Sequence, residues 1–142
     1  MDVDASALLR RESRALVQRL RLWTPARYAA AAPEPLPDTV TTRGDLVHHL
    51  AQALADAAAH LEGGPVRAVS RLDSDLGLAD QLAVTADDLV RAAPPPEVAV
   101  AAVTHLLAHR RDLLDDEVPA GLAASLGLPG PDDVIAHGRR NC

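Results

Sequence analysis

Thr42-Arg-Gly-Asp-Leu-Val-His-His-Leu-Ala-Gln-Ala-Leu-Ala-Asp-Ala-Ala-Ala-His-Leu-Glu-Gly-Gly64 decides the fold class, because both of its ends and its interior periodicity are legible. Thr42-Arg-Gly-Asp45 has the spacing of a capping box, with Asp45 in place of the usual Glu, and Gly63-Gly64 supplies the residue type that closes helices. Between these signals Leu46, Leu50, Ala53, Leu54, Ala57 and Leu61 recur at helical spacing, so the segment reads as one long amphipathic helix. Its phase separates two adjacent histidines. His49 falls within the apolar stripe and is expected to face the interior, whereas His48 aligns with Gln52 and Asp56 and is expected to face water.

The same periodicity extends in both directions. Downstream, Leu78, Leu82, Ala86, Leu89 and Val90 mark a helix over about 76–93, with Asp80, Asp87 and Arg91 outward; Pro94-Pro-Pro96 ends it. A further helix over about 96–115 turns Val98, Ala102, His105, Leu106, His109 and Leu113 inward. Upstream, Leu9, Leu16, Leu20 and Trp23 share a stripe over about 6–22, with Arg10, Arg14 and Arg21 on a solvated face. Thr24-Pro25 starts a short helical turn to about residue 31, and the three prolines of Pro33-Glu-Pro-Leu-Pro-Asp38 impose a loop. The expected architecture is all-α: a single domain, 1–142, with a four-helix bundle over about 6–115. A short helical C-terminal extension, 116–142, carries one more helix over 118–128.

Composition agrees. The chain has one Trp, one Tyr and no Phe, so Leu, Val and Ala must fill the core, a palette that favours close-packed helices over sheets. All fourteen basic residues are Arg, as in proteins from GC-rich genomes. A formal net charge of −6 argues against nucleic acid as a partner. One cysteine, Cys142, excludes an internal disulfide and suits a cytoplasmic setting. The acidic start of the chain is not a signal peptide, and no apolar run reaches the ~18 residues of a membrane span.

The chemistry-bearing pattern is the pair His105 and His109. Residues at i and i+4 project from one helix face, and an inward His49 on another helix would complete a three-nitrogen set for one divalent cation. Each histidine taken alone is better explained by a hydrogen bond to a backbone carbonyl or a carboxylate in the core; the three together favour a shared ion. His60 lies on nearly the same face as His49 but about 16 Å further along the helix, too far to share an ion, and His137 falls in the tail.

Three segments resemble the DinB-like helical bundles, specifically the N-terminal domain of mycothiol-dependent maleylpyruvate isomerases. Leu22-Trp-Thr-Pro-Ala-Arg-Tyr-Ala-Ala30 is similar to that family's Leu-Thr-Pro-x-x-Trp-Ala turn, with Tyr28 in the Trp place. Arg43-Gly-Asp-Leu-Val-His-His-Leu-Ala51 resembles its Val-Arg-Asp-Val-Val-x-His-Leu-Ala, which puts a metal ligand at His49. His105-Leu-Leu-Ala-His-Arg-Arg-Asp112 resembles the motif of the last bundle helix, which makes His105 and His109 the other ligands and Asp112 a carboxylate supporting them from behind. Asp38-Thr-Val-Thr stands where the family has Gly-Trp, and the interval from His49 to His105 is shorter than the family norm.

The resemblance implies a divalent metal, zinc first and nickel, cobalt or iron as alternatives, with an open position that activates a mycothiol-like thiol. The implied reaction is S-transfer or isomerisation of an electrophilic small molecule, with Arg110 and Arg111 as candidates for binding a substrate carboxylate. Two other readings remain: a hydrolase using metal-bound water, and a helical binding or assembly module, with homodimerisation through Ala-rich faces in either case.

Overall fold

The computed structural model describes residues 4–33 and 40–114. The segments 34–39 and 115–142 lie outside them, and with them the expected extension, its helix over 118–128, His137 and Cys142. The described chain is all-α: α1 (Ala5–Leu20), α2 (Pro25–Ala29), α3 (Arg43–Glu62), α4 (Leu78–Arg91) and α5 (Pro96–Leu114). A 3-10 turn, Asp75–Gly77, leads into α4, and an isolated antiparallel bridge pairs Ala31 with Thr42.

The ends of these helices follow from their residues. Asp4 caps α1 by accepting from the amides of Ser6 and Ala7. Thr42 and Asp45 form the full reciprocal capping box at α3, and Gly63 closes that helix at φ 70°, a conformation that costs glycine nothing. The chain leaves α4 less comfortably, because Ala93 takes φ 52° before Pro94.

Packing closes the four long helices into a ring. Each of α1 and α3 lies against both α4 and α5, giving the order α1, α4, α3, α5 around a shared core. Leu9, Leu16, Leu20, Leu46, Leu50, Leu54, Leu78, Leu82, Leu89, Leu106 and Leu107 are fully buried there. Each contributes roughly 1.5–3 kcal/mol of transfer free energy, so leucine supplies what the missing aromatics do not. The one tyrosine, Tyr28, is buried against Trp23 with ring centroids 5.1 Å apart. Its hydroxyl donates to the carbonyl of Leu20 at 2.7 Å, a second bond to an acceptor that the Trp23 amide also reaches at 3.1 Å.

Two sequence expectations need correction. The buried face of α3 is turned toward Val47, Ala51 and Ala58, while Ala53, Ala57 and Leu61 are only half-buried. The polar side of α3 is also not a solvated face: the connection between α3 and α4 docks on it. Gln52 donates to the Arg67 carbonyl and accepts from the Val69 amide, Arg71 pairs with Asp45 at 3.0 Å, and His48 Nε2 donates to the Val69 carbonyl at 2.7 Å. Irregular backbone needs partners for its amides and carbonyls, and these side chains provide them.

Candidate metal centre

An arginine sets how α3 meets α5. Arg43, the first residue of α3, donates to the carbonyl of Leu113 near the end of α5, so the two helices run antiparallel. Six residues along α3 from Arg43 is His49, and six residues back along α5 from Leu113 is Leu107, midway between His105 and His109. Antiparallel helices of equal rise therefore bring His49 opposite the pair.

The three imidazoles do converge. One ring nitrogen from each of His49, His105 and His109 can be chosen so that all lie within 4.8 Å of one another. Ring centroids are 4.0 Å apart for His105 and His109, 5.7 Å for His49 and His109, and 6.0 Å for His49 and His105. Donors around a tetrahedral zinc at 2.0–2.1 Å sit about 3.3 Å apart, a contraction within reach of side-chain rotation.

Two features prepare this cluster for a cation. His109 Nδ1 lies 2.9 Å from the carbonyl oxygen of His105; a carbonyl only accepts, so Nδ1 carries the proton and Nε2 presents its lone pair. The backbone thus holds a ligand's outer nitrogen, a task often given to a carboxylate. The second feature is an orphan: His105 Nε2 is buried and has no hydrogen-bond partner. A buried polar atom without a partner is costly, and a metal ion would satisfy it.

The electrostatics point the same way. Burial, with repulsion from His109 and His49 adding to it, pushes the His105 pKa down to about 4. Burial also lowers that of His109, against the opposing pull of the His105 carbonyl. Neutral imidazoles are the form that binds metal.

The remaining sequence candidates fall elsewhere. Asp112 is half-buried and makes no hydrogen bond or ion pair among the described residues, so the supporting partner is the His105 carbonyl. Arg110 is engaged: its Nη1 lies 3.1 Å from the carboxylate of Glu12 on α1, and the guanidinium is committed inside the protein. Arg111 is exposed, as is His60. His48 straps the α3–α4 connection and does not join the cluster; it is half-buried, contrary to the expectation that it faces water.

Glu12 is a buried carboxylate that no sequence motif marks. It is buried on α1, accepting from Arg110 and, at 3.3 Å, from Arg11. The signal was present in the spacing, because position 12 lies between Leu9 and Leu16 on the apolar stripe.

The chain matches no protein-family model, no curated protein and no solved structure. Its chemistry must therefore be argued from the cluster itself. Among the described residues, three imidazole nitrogens from two helices converge, one donor fewer than the four of a closed structural zinc site.

Proposed function

We propose that this protein is a metal-dependent enzyme built on a DinB-like four-helix bundle, with His49, His105 and His109 as the ligands. The observation that carries this reading is the convergence of the three imidazoles around the orphaned Nε2 of His105. Its support beyond geometry is the order of the three motifs that resemble the mycothiol-dependent isomerases. Zinc suits an all-imidazole set, and nickel, cobalt and iron suit it as well.

A divalent ion held there would supply Lewis acidity and lower the pKa of a thiol brought to its open position. The chain's own contribution is to keep His105 and His109 neutral through burial, and to orient His109 through its hydrogen bond to the His105 carbonyl. The reaction we assign is S-transfer or isomerisation of an electrophilic small molecule by a mycothiol-like thiol. Arg110 is bound to Glu12, which leaves Arg111 as the available cation for a substrate carboxylate.

Zinc-loaded protein, a low-molecular-weight thiol and a chromogenic electrophile test this directly. Acceleration over the thiol alone that disappears in His105→Ala is the expected result. Turnover of an ester without thiol would indicate hydrolysis instead, and no acceleration in either assay would contradict the enzyme reading.

A further inference from the structure

Hydrophobic burial holds α5 in the ring but says little about its rotation. Apart from His109, the face it turns to the core is apolar, running from Ala99 through Leu106 and Leu107 to Leu113 and Leu114, and contacts between such side chains are non-directional. His105 and His109 reach His49 only at one rotation. Arg43, bonded to the Leu113 carbonyl, ties the end of α5 to α3, and a second directional contact on the α1 side would fix the rotation.

We propose that the Glu12–Arg110 ion pair is the positioning device of the metal centre, fixing α5 so that His105 and His109 face His49. This rests on the three histidines holding a metal ion. Within the ring α5 sits between α1 and α3, whose directions from its axis differ by roughly 90° in a four-cornered arrangement. Successive residues of a helix are about 100° apart. With Arg110 anchored to Glu12 on α1, its neighbour His109 is therefore turned toward α3, where His49 lies.

Stability alone does not explain the pair. Glu12 keeps only 10% and Arg110 25% of its side-chain surface exposed, and Arg110 Nε is buried with no partner. Both Glu12 oxygens are partnered, by Arg11 and Arg110, but a pair this far removed from water seldom stabilises more than apolar residues of the same volume would. What it adds is direction.

Zinc titration against a chromogenic chelator, with melting temperature measured in parallel, tests this. The double variant Glu12→Leu/Arg110→Met removes the pair and keeps its volume. It should melt within a few degrees of the wild-type chain yet bind zinc about tenfold or more weakly, the scale seen when residues supporting metal ligands are lost. Glu12→Gln retains an acceptor for Arg110 and should bind within about threefold of wild type.

Wild-type zinc affinity in the folded double variant would overturn the proposal, as would affinity and melting temperature falling together. Should the double variant not fold, Arg110→Lys takes its place. It keeps the charge without the fork and should bind at least about threefold more weakly than Glu12→Gln, and equal affinities would overturn the proposal. A wild-type chain that binds no zinc would overturn the metal centre itself, an outcome distinct from equal binding by wild type and variants.

Discussion

His48 and His49 are neighbours in sequence with opposite duties: His48 Nε2 donates to the Val69 carbonyl at 2.7 Å, while His49 stacks at 5.7 Å from His109. About 100° of helical rotation separates a strap from a candidate ligand.

The two residues should therefore fail differently. His48→Ala removes a hydrogen bond to the docked connection and should cost about 1 kcal/mol of stability while leaving metal stoichiometry unchanged. His49→Ala should remove metal binding. Chemical denaturation of the metal-free proteins, together with metal content per chain, separates these outcomes; loss of metal from His48→Ala alone would contradict the assignment.

Stability of the metal-free protein should depend on pH through His105. Its folded pKa is about 4 and its ordinary value is 6.5, so between these the unfolded chain holds more protons than the folded one. Stability thus falls as pH drops from about 6.5 toward about 4, and this group adds no pH dependence above that window. Melting temperatures at pH 7.5, 6.5, 5.5 and 4.5 should fall more steeply for wild type than for His105→Ala. Parallel curves would contradict the burial of a neutral imidazole.

Ala93 occupies the left-handed region at φ 52° just after α4. An alanine pays about 1 kcal/mol there that glycine does not, so Ala93→Gly should raise the melting temperature by roughly 3–5 °C, with no change in metal content. A lowered melting temperature would show that the strain is illusory.

Tyr28→Phe keeps the ring against Trp23 and deletes the hydroxyl that serves the Leu20 carbonyl at 2.7 Å. The Trp23 amide still serves that carbonyl at 3.1 Å, so loss of the one hydrogen bond should cost about 1 kcal/mol, measurable by denaturant unfolding with an unchanged m-value.

Much of this was legible in the sequence because helices declare themselves through caps and period. Thr42, Asp45 and Gly63 mark α3 at both ends, and Leu78, Leu82, Ala86 and Leu89 are the buried face of α4. Helix phase and the family resemblance both favour His49 over His48, although the two are equally half-buried. What phase cannot reveal is which polar side chains are consumed by neighbours distant in sequence. His48 and Gln52 look like a wet face until the chain from Arg67 to Val69 is laid across them. Arg110 looks like a free cation until Glu12, 98 residues earlier, is brought beside it. Asp112 has no partner among the described residues, and the carbonyl one turn back on the same helix is what holds His109.

Metal content of protein purified without a histidine tag, before and after reconstitution with zinc, bears most directly on the centre. The three-histidine cluster predicts about one tightly held ion per chain, lost in His49→Ala, His105→Ala and His109→Ala and kept in His48→Ala. A wild-type chain that takes up no stoichiometric metal after reconstitution would contradict it.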